Sequence, residues 1–172
     1  INQKDEIVFG FDVEWRPSWR SGTQNRVSLI QFATSTSVCL IQVHKFTENG
    51  VLAPIVHHII ASPYIIKTGV GIYADLKKLE NDFKVDTNIA GFHDVGATEK
   101  RLRDIEEGPK KGLQYGLANL AKKYLDYHPL KPRRVQMSNW AKPSLTSAQI
   151  HYAAYDALLG KHVFDAMDNL KL

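Results

Sequence analysis

The chain has 172 residues, with 44% hydrophobic and 23% charged side chains and a formal net charge of +4. This length and composition predict one globular domain with its own core, and the longest apolar runs are too short to span a membrane. The mild positive charge permits a nucleic-acid partner without requiring one. A lone cysteine, Cys39, excludes an internal disulfide, which is typical of proteins from reducing compartments.

The first predicted element is a strand over residues 7–15, in which an apolar run ends at two carboxylates, Asp12 and Glu14. Side chains two positions apart in a strand point to the same face, so these carboxylates lie close together. Like charges in such proximity resist ionising together unless a cation or a proton lies between them. The pair therefore predicts a divalent-metal site that other elements complete.

Two further strands, over residues 27–33 and 38–43, have short connections that indicate an antiparallel meander. Apolar periodicity then predicts alternating elements: a helix over 51–61, a strand over 64–71, a helix over 72–83, a strand over 91–94, and helices over 95–103 and 113–125. Residues 126–143 are predicted as a loop, and a capping box of Thr146 and Gln149 begins a last helix over 147–167. This order predicts an α/β fold in which three antiparallel strands are followed by parallel strands and helices flank the sheet.

The strand over 64–71 ends in a glycine pattern that allows a second interpretation. Gly69-Val70-Gly71-Ile72-Tyr73-Ala74 fits G-x-G-x-x-A between a strand and a helix, and Asp94 follows 20 residues after Ala74. That arrangement matches a dinucleotide-binding fingerprint. Against it, the pattern lies mid-chain after an antiparallel meander, and Asp75 would bring a carboxylate close to the pyrophosphate. A dinucleotide-binding protein is kept as an alternative.

The last helix carries a tyrosine and a carboxylate at a spacing that suits a shared site. Tyr152 and Asp156 are four residues apart, so they lie one helical turn apart on one face. His151 points about 140° away from Asp156 around the same helix, compared with about 40° for Tyr152. Such a pair is common in helices and indicates a site only together with acids from other elements.

Several segments occur in an order and spacing that together carry a family resemblance: Phe11-Asp12-Val13-Glu14-Trp15, Ser28-Leu29-Ile30-Gln31-Phe32, Gly69-Val70-Gly71-Ile72-Tyr73-Ala74-Asp75, Ser138-Asn139-Trp140 with Leu145-Thr146, and Tyr152-Ala153-Ala154-Tyr155-Asp156-Ala157. The chain resembles the DEDD family of 3′–5′ exonucleases, in the tyrosine subclass that includes ribonuclease D, with its closest likeness to the Werner syndrome exonuclease domain. The resemblance implies a ribonuclease H-like fold. It also implies an enzyme that hydrolyses phosphodiester bonds from the 3′ end of DNA or RNA and releases 5′-mononucleotides.

The resemblance further implies roles for individual residues of this sequence. Asp12, Glu14, Asp75 and Asp156 are the carboxylates expected to hold two divalent cations, Mg²⁺ or Mn²⁺. Tyr152 is expected to orient the attacking water. A histidine subclass of the family has its histidine where His151 stands, but the surrounding segments resemble the tyrosine subclass. We therefore interpret His151 as a bystander.

Contacts with the nucleic acid are less sharply indicated. Trp15 and Trp140 are candidates for stacking on bases, since base–aromatic stacking tolerates any sequence. For Trp140, burial in the core is an equal alternative. The basic cluster of Lys131, Arg133 and Arg134 is a candidate for following the phosphate backbone.

Other readings of the same residues stay open at this stage. A catalytically silent nucleic-acid-binding module on the same fold is one, and another two-metal hydrolase such as a phosphatase is a second. Because the chain begins with isoleucine, we expect residues 1–172 to be one domain cut from a longer protein. We expect an intracellular location without membrane contact, with the nucleus, the cytoplasm and organelles all open, and no protein partner is indicated.

Overall fold

The computed structural model describes residues 7–20, 22–85, 91–108 and 115–170. In chain order its strands are β1 (Ile7–Trp15), β2 (Val27–Ala33), β3 (Val38–Gln42), β4 (Thr47–Glu48), β5 (Val51–Leu52), β6 (Ile65–Gly69) and β7 (Phe92–Asp94). Five of them form one sheet in the order β3-β2-β1-β6-β7, and β4 pairs with β5 separately. β1 is antiparallel to β2 and parallel to β6. β7 is also parallel to β6. The predicted mixed α/β sheet is confirmed.

The helices are α1 (Pro54–Ala61), α2 (Ile72–Phe83), α3 (Val95–Glu107), α4 (Leu117–Leu125), α5 (Arg133–Gln136) and α6 (Ser147–Asn169). They cover both faces of the sheet. Phe11 and Val13 of β1 pack in a core with residues of α1 and α2, while Leu29 of β2 packs with Tyr152 and Ala153 of α6. Because side chains alternate along β1, the even-numbered positions that include the two carboxylates face α6.

Contact between β1 and α6 is unusually close at Gly10. A Cβ atom built on Gly10 would lie 2.0 Å from the main-chain oxygen of Ala157, so only glycine permits this approach. A glycine inside a strand is a known sign that another backbone comes near. The packing places Asp156, the residue before Ala157, beside the carboxyl-terminal half of β1.

The predicted start of α6 is confirmed by its hydrogen bonds. The Gln149 N–H donates to the Thr146 hydroxyl oxygen over 3.3 Å, and the Thr146 N–H donates to the Gln149 side-chain oxygen over 3.0 Å. This capping box satisfies main-chain donors that the first turn of a helix otherwise leaves unpaired. The helix runs to Asn169, slightly beyond its predicted end.

The prediction of one helix over 51–61 is wrong at its start. Val51 and Leu52 form β5, which pairs with β4 around a turn at Asn49 and Gly50, where φ is 50° and 78°. Two successive residues with positive φ suit a tight hairpin, and Asn-Gly is the strongest sequence signal for one. The helix begins at Pro54 because proline fixes a helical φ and needs no N–H partner in the first turn.

Other predicted boundaries differ by smaller amounts. The third strand ends at Gln42 and is followed by a short 3₁₀ helix, α3 continues to Glu107, and α5 lies within the predicted loop over 126–143. The predicted helix over 113–125 begins at Leu117, and its first two positions lie outside the described residues. Within the described ranges, no helix combines the length and apolar character needed to cross a bilayer.

Candidate active site

Three carboxylates from two elements converge beside β1. Asp12 and Glu14 come from β1 and Asp156 from α6, and each offers a ligand oxygen within 4.8 Å of the others. The strand alternation sets the first two on one face, and the close packing at Gly10 brings the third to them. Immediately after Glu14 the pairing of β1 with β2 shifts register, and such irregularities are frequent next to active sites.

Asp75 reaches the same cavity from the first turn of α2. The cavity has a volume of about 610 Å³, and all four predicted carboxylates line it. Asp75 lies outside the group of three carboxylates whose oxygens approach within 4.8 Å. The chain turns into α2 at Gly71, which has a φ of 80° in the left-handed region that glycine adopts without strain.

Burial and mutual repulsion make these carboxylates weak acids in the absence of a cation. Burial, followed by the charge of Asp156, raises the pKa of Asp12 to about 7. Burial, followed by the charge of Asp12, raises the pKa of Glu14 to about 9. The pKa of Asp75 rises to about 8 for the same two reasons, burial and then Asp12. At neutral pH the site therefore holds carboxylates that a nearby positive charge would help to ionise.

Lys131 supplies one such charge. Its Nζ atom lies 2.8 Å from Oδ1 of Asp156, and both side chains line the cavity. The pKa of Asp156 is nevertheless raised, because burial outweighs the attraction of the Lys131 ammonium. One ammonium group is not enough to keep four carboxylates ionised together, so a further positive charge at the site would favour their ionisation.

Tyr152 lies one turn before Asp156, and both side chains line the carboxylate cavity. The ring is buried, with 7% of the residue exposed, and packs on the indole of Trp140 at a centroid distance of 5.9 Å. Burial and the charges of Asp156 and Glu14 raise the pKa of the phenol, so it stays protonated at neutral pH. His151, by contrast, is exposed and does not line the carboxylate cavity.

Of the two tryptophans predicted to contact nucleic acid, one is buried in the core and the other lines the carboxylate cavity. Trp140 is 1% exposed and its Nε1–H donates to the Gln136 carbonyl over 3.0 Å, so its ring has no free face for a base and the alternative of burial in the core describes it. Its apolar surface instead supports Tyr152. Trp15 is half-buried and lines the carboxylate cavity, with the Lys78 ammonium 4.9 Å from its ring centroid.

Of the basic cluster, only Lys131 enters the carboxylate cavity. Arg133 and Arg134 are exposed on α5 and do not line it. The sequence offered no signal for this division, because all three side chains lie within four residues of one another in a segment without strong periodicity. The loop between β1 and β2 also borders the cavity, through Pro17 and Thr23 among others, and was not predicted to do so.

The Asp94 carboxylate is hydrogen-bonded to a main-chain N–H that a bound dinucleotide would need. Its Oδ2 accepts the Gly71 N–H over 2.8 Å, and its Oδ1 accepts the Ala97 N–H over 3.0 Å as the cap of α3. A pyrophosphate would need that glycine N–H, and a ribose would need that carboxylate. Because the two groups are bonded to each other, the geometry argues against this alternative.

The donor set matches a hard divalent cation. The clustered ligand atoms are all carboxylate oxygens, which Mg²⁺ and Mn²⁺ prefer, and no thiol or imidazole of the described residues joins the group. The raised pKa values of Asp12, Glu14 and Asp75 indicate that a cation would relieve repulsion at this point. The residues present therefore fit a divalent-metal site.

Known proteins with similar sequences are 3′-5′ exonucleases. A family model described as 3′-5′ exonuclease matches residues 2–170. A 3′-5′ exonuclease of Arabidopsis thaliana is 31% identical over 179 residues, which cover 98% of this chain and 56% of that protein. The bifunctional 3′-5′ exonuclease/ATP-dependent helicase WRN of Mus musculus is 32% identical over 167 residues, covering 96% of this chain and 11% of that protein. The chain thus spans about half of the first relative and about a tenth of the second.

Solved structures show the same fold. The EXO domain of Aedes aegypti Nibbler superposes with a TM-score of 0.74 at 22% identity, covering 98% of this chain and 82% of that one. NrnC of Brucella melitensis superposes with a TM-score of 0.72 at 19% identity, covering 98% of this chain and 75% of that one. These similarities confirm the predicted ribonuclease H-like arrangement. With a family match over nearly its whole length, the chain belongs to the 3′-5′ exonuclease family of nucleases.

Proposed function

We propose that this domain hydrolyses phosphodiester bonds one nucleotide at a time from the 3′ end of DNA or RNA, using two divalent cations and releasing 5′-mononucleotides. The observation that carries the proposal is the convergence of four carboxylates, from β1, α2 and α6, on one cavity. A catalytically silent binding module has no need for partly buried acids that repel one another, and retaining all four costs such a module stability.

The carboxylates divide into two sets by position. Asp12, Glu14 and Asp156 would hold one cation, and Asp75 together with Asp12 would hold the other. When bound, the pair would supply an activated water and stabilise the charge on the attacking and leaving oxygens of an in-line displacement. Asp12 is the shared ligand in this scheme, so its loss should be the most damaging single change.

Tyr152 would position the attacking water. Because its pKa is raised, the phenol does not act as a base at neutral pH. Its hydroxyl lies in the same cavity as Asp156, and a phenol oxygen has lone pairs that can accept a hydrogen bond from water. The packing of its ring on Trp140 holds the hydroxyl in one place. We therefore assign Tyr152 an orienting role.

Lys131 would help to hold the substrate at the site. Its ammonium lies at the edge of the carboxylate cluster, where a phosphate oxygen could exchange for its contact with Asp156. Lys131→Gln should then weaken nucleic-acid binding and reduce the dependence of the dissociation constant on salt. Arg133→Gln on α5, which does not line the cavity, is the matched comparison within the same basic cluster.

The direct test is digestion of an oligonucleotide labelled at its 5′ end, with Mg²⁺ or Mn²⁺ and with EDTA as the control. The expected product is a ladder that shortens from the 3′ end and is absent in EDTA. Asp12→Ala should abolish the ladder while circular dichroism shows a folded protein, and Glu106→Gln, an exposed acid on α3, should retain it. A folded wild-type protein that binds the oligonucleotide without shortening it would identify a silent binding module instead.

The same assay decides the substrate. Matched single- and double-stranded DNA and RNA of one sequence, digested in parallel, should show a preference in the rate of ladder formation. The mononucleotide released carries its phosphate on the 5′ position if the proposed bond is cleaved, and chromatography against 3′- and 5′-monophosphate standards distinguishes the two. Release of 3′-monophosphates would contradict the proposed chemistry.

A further inference from the structure

A second cavity lies next to the carboxylate cavity and shares a wall with it. Its volume is about 350 Å³, and Lys131, Tyr152 and Asp156 line both cavities. The rest of its lining is mainly apolar and aromatic and comes from the segment after α4 and from α6. The proposed function described above gives this second cavity no role.

Two adjoining faces of α6 serve the two cavities. Tyr152 and Asp156 turn toward the carboxylates, whereas Ala148, His151 and Tyr155 line the second cavity alone. Spacings of three, four and seven residues set these last three side chains on one stripe of the helix. The exposed position of His151, unexplained by the hydrolytic site, is accounted for by this second face.

The second cavity is bordered by a pair of parallel tyrosine rings. Tyr127 and Tyr155 are inclined by only 6° with their centroids 6.5 Å apart, and they are 41% and 49% exposed. Tyr127 directly follows Asp126, the C-cap of α4, whose φ of 49° ends the helix, and the Tyr127 N–H donates to the Ala121 carbonyl over 3.3 Å. A flat group that stacks on either ring lies parallel to the other, so the pair forms a platform of fixed orientation.

We propose that this cavity, the tyrosine pocket of Tyr127, Leu130, His151 and Tyr155, binds a nucleobase of the substrate strand on the 5′ side of the scissile phosphate. The inference rests on the proposed function, because that function requires a strand to leave the carboxylate cavity across its rim. The Lys131 ammonium stands at the junction of the two cavities, where the connecting phosphate would pass. Half-exposed aromatic faces beside a basic group are the usual means of holding single strands without sequence preference.

Binding measurements test the pocket directly. The anisotropy of single-stranded DNA and RNA oligonucleotides with a 5′ fluorophore, measured in EDTA, gives the dissociation constant without cleavage. Tyr155→Ala and Tyr127→Ala should each raise it about 5- to 150-fold, the range expected for loss of one base–aromatic stack. Tyr155→Phe keeps the ring and should bind like the wild type. Unchanged binding in both alanine variants, or a phenylalanine variant as weak as the alanine one, overturns the proposal.

A minimal substrate separates this inference from the proposed function. The p-nitrophenyl ester of thymidine 5′-monophosphate contains one nucleotide and no base on the 5′ side. With Mn²⁺, the alanine variants should hydrolyse it with the kcat/KM of the wild type, while their KM for an oligonucleotide rises by the factor given above. A wild type that cleaves neither substrate contradicts the proposed hydrolysis. An active wild type with alanine variants of unchanged oligonucleotide KM contradicts the tyrosine pocket alone, and is the result that a protein-docking surface would give.

Discussion

Removing the charge of Asp12 is expected to stabilise the metal-free domain while abolishing hydrolysis. The pKa of Asp12 rises from an ordinary value of 3.8 to about 7, because of burial first and then the charge of Asp156. A carboxyl whose pKa is higher in the folded state favours folding most at low pH. That contribution is lost as the pH rises through the folded-state value. Wild-type stability in EDTA should therefore fall between about pH 4 and pH 8.

The size of the effect follows from the same numbers. A rise in pKa from 3.8 to about 7 corresponds to about 4 kcal/mol of free energy of unfolding lost above pH 7. Asp12→Asn keeps the shape of the side chain and removes this cost, but it also loses the attraction of Asp12 to Lys131. We expect a net gain of about 2–4 kcal/mol near pH 8, or about 5–15 °C in Tm for a domain of this size.

Urea and thermal denaturation in EDTA, followed by circular dichroism at several pH values, measure this gain. Glu106→Gln, which removes an exposed acid of α3, controls for the change in net charge and should leave the pH dependence as in the wild type. The gain for Asp12→Asn should shrink toward zero at about pH 4, where the wild-type carboxyl is protonated. If Asp12→Asn is no more stable than the wild type near pH 8, the clustered carboxylates are not a source of instability and the reasoning fails.

Three other substitutions test the architecture of the site. Gly10→Ala should lower the free energy of unfolding by about 1–3 kcal/mol and the rate of hydrolysis by about 100-fold, because the new methyl group displaces Ala157 and with it Asp156. A variant that hydrolyses the oligonucleotide at the wild-type rate would contradict the packing. Gln31→Leu should raise the free energy of unfolding, measured in urea, by about 1–3 kcal/mol, because the buried Gln31 amide has no hydrogen-bond partner among the described residues. A loss of stability would indicate that the amide is paired. Tyr152→Phe should leave Tm and KM unchanged but lower kcat by about 100-fold in the oligonucleotide assay, because only the orienting hydroxyl is removed. An unchanged kcat would exclude the orienting role.

The parts of the fold that could be predicted are those set by strictly local patterns. Strand alternation alone puts Asp12 and Glu14 on one face, and the hydroxyl and amide of Thr146 and Gln149 alone define the start of α6. The hairpin before α1 was missed although its signals were local too. The apolar residues of β5 continue the helical periodicity of 51–61 and fit a strand equally well, so periodicity alone does not reveal the Asn49-Gly50 turn before them.

The features that could not be predicted depend on which distant elements meet. The ion pair between Lys131 and Asp156 joins a loop to a helix, and no spacing in the sequence specifies it. Trp140 stands in a segment without periodicity, so its sequence left stacking and burial both open, and only its contact with Tyr152 shows that it is buried. The loop between β1 and β2 borders the cavity, and no pattern in its own sequence specifies that contact.

The repulsion among the carboxylates cannot be relieved by movement of α6, and this links cation binding to folding. Ala153 and Ala157, on either side of Asp156, are fully buried, and the backbone of Ala157 lies against Gly10 without room for a methyl group. A shift of α6 that separated Asp156 from β1 would open this packing. The remaining routes are protonation, Lys131 or a divalent cation. A cation present at about 100 times its dissociation constant adds about 2.7 kcal/mol of stability, which is comparable with the cost attributed to Asp12. A titration of Tm with Mg²⁺ or Mn²⁺ should therefore restore in the wild type what Asp12→Asn gains without metal, and the variant should respond far less to the same cation.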